Sequence, residues 1–259
     1  MANEIWQLFD SATRTGLIVE AETGTKQWFV NGQIHRDDGP AIVYGDGSTV
    51  WYCHGLVHRK DGPAIEHANG MKEWWRNGQK HREDGPAVEH PDGTKEWWRN
   101  SVLHRVDGPA IEHASGMKVW LLNGQKHRKD GPAVEHEGGT KEWWRNNVRH
   151  RGDGPAVERV EGTRAWYRNG QLHRDDGPAI ECADGAEAWY CHGQIHREGG
   201  PAIVHPNGSK EWWLNGVKTD APPTTRAHDQ LVSIVETPNS SAQNGDIFFD
   251  HLKRGPRGP

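Results

Sequence analysis

His35-Arg36-Asp37-Asp38-Gly39-Pro40-Ala41 is the stretch on which the fold is read. Its pattern, His-Arg-x-Asp-Gly-Pro-Ala, returns at His58, His81, His104, His127, His150, His173 and His196, each 23 residues after the last. Only the final copy departs, with Gly199 at the Asp position. A catalytic sequence is written once. Eight copies at fixed spacing describe a structural repeat that buries its apolar side against its neighbours.

Working outward from the copy at His81, the next signal is Glu89-His90-Pro91-Asp92-Gly93-Thr94-Lys95. Pro suits the first corner of a turn and Gly its left-handed position, which predicts a three-residue hairpin loop. That loop sets Glu89 against Lys95 and Ala87 against Trp97; a two-residue loop would instead oppose Glu89 and Glu96. The second turn is Asn-Gly, as in Asn77-Gly78, a strong hairpin signal. Counting outward from it pairs Trp75 with Lys80, Trp74 with His81 and Glu73 with Arg82. The same count pairs Glu96 with Arg105 and Glu142 with Arg151, although Asn100-Ser101 and Asn146-Asn147 lack the Gly. Asp-Gly-Pro supplies a third turn, with Gly permitting the bend and Pro opening the next strand. Each repeat should contribute two proper strands and a short third one.

The fold class expected is therefore all-β, an elongated array or solenoid of about nine 23-residue β-hairpin (meander) repeats. Residues 1–11 read as an N-terminal cap and 12–34 as a degenerate first repeat, with eight full repeats over 35–218. Residues 219–259, with Pro222-Pro223 and a basic Gly-Pro ending, read as a partly disordered tail. Its apolar island Ile247, Phe248, Phe249 and Leu252 is a candidate cap or docking peptide. Residues 65–110 and 111–156 match each other beyond the short period, as a tandem duplication of two repeats or a superhelical turn of two repeats would give.

Composition narrows the function. Hydrophobic residues are only 33%, yet there are 14 Trp, so a few large aromatics do much of the burying. A net charge of −5 gives no global basic field for nucleic acid, and membrane binding is expected to be weak. No segment is long and apolar enough to span a bilayer, and a cytoplasmic location is expected (host cytoplasm for a viral protein). Cys53, Cys182 and Cys191 are odd in number and none lies in a Cys-x-x-Cys pair, so neither disulfides nor a metal role is expected. The His ladder is read as packing against Trp, with its nitrogens bonding the Asp-containing turn, and no cofactor is expected. His35-Arg36-Asp37 matches the kinase catalytic loop in three letters only; the Gly-rich loop and Asp-Phe-Gly are absent, and the chain is read as not an enzyme.

Trp28, Trp51, Trp74, Trp97, Trp120, Trp143, Trp166, Trp189 and Trp212 hold one repeat position and read as a core stack opposite Ala. The next position varies and reads as the other face. There the candidate partner-binding residues are Trp75, Arg76, Trp98, Arg99, Trp144, Arg145, Tyr167, Tyr190 and Trp213, in the aromatic and Arg chemistry of binding hot spots.

Asn77-Gly78-Gln79-Lys80-His81 and Asp92-Gly93, with an aromatic run before the next Asn, resemble the MORN repeat family over residues 12–218. That family includes arrays in bacteriophage and giant-virus proteins. Its units usually carry His-Gly-x-Gly, where this chain has His81-Arg82-Glu83-Asp84-Gly85. The resemblance implies a hairpin array acting as a scaffold or binding module. The expectation is a bacteriophage accessory factor that binds a protein partner, either a bacterial host (defence) component or a second copy of itself. A peripheral membrane-lipid scaffold and a carbohydrate-binding repeat protein are the alternatives.

Overall fold

The computed structural model describes residues 6–219, with side chains from Phe9 onward. Ile247, Phe248, Phe249 and Leu252 lie outside the described residues. The described residues divide into two compact halves, the first ending at Gln125 and the second beginning at Lys126. Each is all-β, built of antiparallel strands in meander order, and no helix occurs among the described residues.

In the first half, the repeat from His58 to Lys80 shows the plan. Ile65–Glu66 and Lys72–Glu73 are joined by a turn in which Gly70 N–H donates to the His67 carbonyl at 2.9 Å. Lys72–Glu73 then pairs with Ile65–Glu66 on one side and with Val88–Glu89 of the next repeat on the other. Lys72 therefore stands between Glu66 and Glu89, and by the same ladder Lys95 stands between Glu89 and Glu112. Cross-strand pairs of opposite charge each add a few tenths of a kcal/mol up to about 1 kcal/mol.

The expected two strands and a short third are corrected to four strands of two residues. After Trp74 the chain leaves the ladder and forms a separate two-stranded hairpin, Trp75–Arg76 with Gln79–Lys80. Trp74 sits at the branch: its N–H donates to the Ala87 carbonyl and its carbonyl accepts from His81 N–H. The Asn-Gly turn has positive φ at both corners, 50° at Asn77 and 76° at Gly78, as a two-residue hairpin turn requires. Ser101 (φ 61°) and Asn147 (φ 62°) take the same conformation without Gly, and the expected pairs Trp98–Leu103 and Trp144–Arg149 hold.

The three-residue loop register also holds, with Glu89 opposite Lys95. Ala87, however, is not opposite Trp97. Its N–H donates to the Glu96 carbonyl at 2.8 Å while Val88 is the ladder partner of Glu96, so two residues face one in a β-bulge.

At the start of the chain the strands are longer. Trp6–Asp10 pairs with Thr15–Val19, which pairs in turn with Lys26–Val30. The degenerate repeat thus forms ordinary hairpins, and the segment read as a cap contributes the strand before them. Phe9 packs edge-on against Phe29, with ring centroids 6.0 Å apart.

In the second half, Lys141–Glu142 lies between Val134–Glu135 and Val157–Glu158, and Arg164–Ala165 lies between Val157–Glu158 and Ile180–Glu181. The alternation of charge breaks at Glu187, which faces Glu181 on one side and Val204 on the other. The core of this half gathers Val157, Ala165, Tyr167, Leu172, Ile180, Tyr190, Ile195 and Ile203. In both halves the Ala that closes the repeated motif is wholly buried, from Ala41 and Ala64 to Ala179 and Ala202. Space there admits only a methyl group, so larger side chains would overpack by about 1–3 kcal/mol.

Candidate functional site

The repeated motif resolves into a clamp around its Arg. Arg82 lies flat over the Trp74 ring, 4.2 Å from the centroid. Its Nε donates to Asp84 Oδ1 at 3.0 Å, and its Nη1 donates to the Pro86 carbonyl at 3.2 Å and to Glu89 Oε1 at 3.3 Å. Gly85 forms the other wall: a Cβ there would stand 2.9 Å from the guanidinium carbon. Gly in this turn therefore makes room for the Arg. The bond from Arg82 holds the exposed Asp84 carboxyl below its usual range.

The same stack recurs at Arg36 over Trp28, Arg59 over Trp51, Arg105 over Trp97, Arg151 over Trp143, Arg174 over Trp166 and Arg197 over Trp189. Two expectations are corrected by it. The invariant Trp residues are half-buried, these seven under a guanidinium, and the fully buried row is Ala. Arg82, Arg105 and Arg151 meet Glu89, Glu112 and Glu158 of their own repeats, where counting from the Asn-Gly turn had given Glu73, Glu96 and Glu142.

The motif's His joins one repeat to the next. His81 Nδ1 accepts from the backbone N–H of Asn100 at 3.3 Å, and the bond recurs from Asn77 to His58, Asn169 to His150 and Asn215 to His196. Nδ1 thus reaches the following Asn-Gly-type turn, which was not expected, while Nε2 meets the motif's own turn in some copies, as expected. An acid two residues on faces Nε2 where the repeat has one, as in His173–Asp175 at 2.9 Å.

A second side-chain network surrounds the Glu of the Lys-Glu strand. Glu73 accepts from Trp75 Nε1 at 2.9 Å, pairs with Lys80 Nζ at 3.0 Å and bonds His67 Nε2 at 3.0 Å. Glu142 does the same with Trp144, Arg149 and His136, and Glu211 with Trp213, Lys218 and His205. Glu96 bonds Trp98 and His90 and has Leu103 at the cation's position. Burial pushes the Glu73, Glu142 and Glu211 carboxyls up, but these bonds and charges outweigh it and leave all three below the usual range.

This network decides where the sequence-predicted residues stand. Trp75, Trp98, Trp144 and Trp213 are half-buried, each with its indole N–H committed to a Glu. Tyr167 and Tyr190 are only 5% and 4% exposed, which corrects their placement on a binding face; burial also pushes the Tyr190 hydroxyl pKa up. Arg76, Arg99 and Arg145 are exposed on the hairpin tips, as expected. Arg76 pairs with the exposed Glu83 at 3.1 Å.

The tips also carry apolar side chains that sequence reasoning passed over. In the first half Leu56 (50% exposed) and Val102 (41%) follow the turn, and in the second half Val148 (38%) and Val217 (41%) do. Leu56 touches the position of a Cβ on Gly78 at 3.4 Å, and Val102 that on Gly124 at 3.4 Å, so each tip leans on the next. The signal for this row was present in the alternation of Leu or Val with Gln after the turn, at Leu56, Gln79, Val102, Gln125 and Val148.

Two clusters of His and Cys were missed as well. His35, Cys53 and His54 in the first half, and His173, Cys191 and His192 in the second, each bring three donor atoms within 4.8 Å of one another. The signal was Tyr-Cys-His-Gly, which replaces the usual Asn-Gly context at 52–55 and again at 190–193.

No helix of the described residues is long and apolar enough to cross a membrane. Compared with family models and with curated proteins, the chain matches none.

Proposed function

We propose that the chain is a non-enzymatic binding or scaffold protein whose recognition surface is the row of hairpin tips. One observation carries this reading: exposed Arg and exposed aliphatic side chains stand together on the tips, over three successive tips in the first half and on one in the second. Arg76, Leu56, Arg99 and Val102 do so in the first half, and Arg145 and Val148 in the second. Arg is among the residue types enriched at binding hot spots, the exposed Leu and Val add apolar surface for a partner to cover, and the hairpins beneath limit the entropy lost on binding. The indoles named for this role act from behind, by fixing the tips through Glu.

The partner proposed is a protein, either a bacterial host component, including a defence protein, or a second copy of the chain. The likeness of the repeats to those of bacteriophage arrays supports the host choice. Wild type and the variant Arg76→Glu/Arg99→Glu/Arg145→Glu should be compared by pull-down from bacterial lysate and by sedimentation for self-association. The substitutions are on exposed side chains and leave the fold intact. Loss of a wild-type partner, or of self-association, in the variant is expected. Identical partners and oligomeric state in both would overturn the reading.

A further inference from the structure

Nine repeats share a turn whose first corner is Asn in all but two: His54 and His192 replace it, and each brings a Cys immediately before it. The two substitutions occur together both times, so the pair is the unit of change. His54 and His192 keep the left-handed corner, each at φ 48°, close to the 50° of Asn77.

What the exchange creates is a donor set. The head His of the preceding motif, already bonded to this turn, now faces a second imidazole and a thiol. His35 stacks on His54 with centroids 4.3 Å apart and planes 7° from parallel, and its Nδ1 lies 3.2 Å from His54 N. In the second copy Cys191 Sγ is 3.2 Å from His192 Nδ1, His173 and His192 rings are 4.5 Å apart, and His173 Nδ1 lies 3.2 Å from His192 N. On the far edge of each head ring, Nε2 meets a carboxylate: Asp37 at 3.2 Å and Asp175 at 2.9 Å. Arg168 also approaches His173 Nε2 at 3.2 Å, which leaves the Nδ1 edge as the one turned to the thiol and second imidazole.

We propose that each cluster binds one divalent zinc ion through two imidazoles and one thiolate, giving two equivalent sites per chain. Imidazole and thiolate are the ligands zinc favours, and three protein donors leave a fourth position for water. Tetrahedral zinc with bonds of about 2.0–2.3 Å needs donors about 3.3–3.7 Å apart. The spacing within 4.8 Å therefore closes by about 1.5 Å at most, through rotation of side chains on an exposed hairpin corner. The metal takes the lone pair that His35 or His173 now offers to a backbone N–H. Asp37 or Asp175 then fixes the ring from its other nitrogen, the carboxylate–histidine–metal arrangement of zinc sites.

The full chain, stripped of metal by a chelator and dialysed, should be titrated with Zn²⁺ against a chromophoric chelator. Wild type should take up two equivalents, His54→Asn or His192→Asn one, and the double variant none. These variants restore the residue that the other repeats carry, so the fold is preserved; circular dichroism checks this. Cys182→Ser, outside both clusters, should keep two equivalents. Failure of the wild type to bind, or full uptake by the folded double variant, would overturn the proposal.

Discussion

Two repeats of the second half hold the same backbone with opposite chemistry. Around Glu142 the side chains are ionic: His136, Trp144 and Arg149 converge on one carboxylate. Around Ala188 they are apolar, with Cys182, Tyr190 and Ile195 buried at the equivalent positions. The repeat of Ala165, Tyr167 and Leu172 takes the apolar form, and that of Glu211, Trp213 and Lys218 the ionic one. A buried Glu is tolerable only when its partners come with it, and an alanine there requires that they leave. In the second half Glu, indole and cation accordingly change together, whereas in the first Glu96 and Trp98 stand with Leu103 at the cation's position.

The sharpest way to break this comparison is to mix the blocks. Ala188→Glu places a carboxylate among Tyr190, Ile195 and Cys182 with no cation or indole to receive it. It should destabilise by about 4 kcal/mol or more in urea denaturation. Glu142→Ala is the reverse error, leaving Arg149, His136 and the Trp144 N–H without their acceptor, and should cost about 3 kcal/mol. Completing that exchange with His136→Cys, Trp144→Tyr and Arg149→Ile should recover most of the loss, a non-additivity readable in a mutant cycle.

Acid provides a gentler probe. The Glu73, Glu142 and Glu211 carboxyls lie below their unfolded values, so the stability they add is present above the ordinary carboxylate pKa. It is lost as pH falls through their lowered folded values. Thermal denaturation from pH 6 downward should show wild type losing stability more steeply than the four-residue apolar exchange at His136, Glu142, Trp144 and Arg149. Parallel curves would show that the carboxylates are not what the acid reaches.

The fold was legible because its signals are local. A strict period, Asp-Gly and Asn-Gly corners and opposed charges gave the meander and the registers Glu89–Lys95 and Trp75–Lys80 without any tertiary information. Legibility stopped at the joint between repeats. The bulge at Ala87 and Val88 shifts the count by one, and the chain leaves the ladder after Trp74, so pairing Glu73 with Arg82 carried a local rule past the point where it applies. Which aromatic was buried was equally hidden: Trp98 and Tyr190 hold the same repeat position, but one is half-buried with its N–H on Glu96 and the other is packed in the core.

At that joint the repeated motif forms an Arg clamp, in which Trp, Gly and Pro, with Asp and Glu in most copies, serve one guanidinium. Gly85 tests it most directly, because the three atoms nearest to a Cβ at that position all belong to Arg82. Held by Trp74, Asp84, Pro86 and Glu89, that side chain is not free to step aside. A double-mutant cycle of Gly85→Ala and Arg82→Ala should show Gly85→Ala costing about 1–2 kcal/mol with Arg82 present and a few tenths without it. Equal costs in the two backgrounds would mean that Gly85 serves the turn alone, and would contradict the clamp.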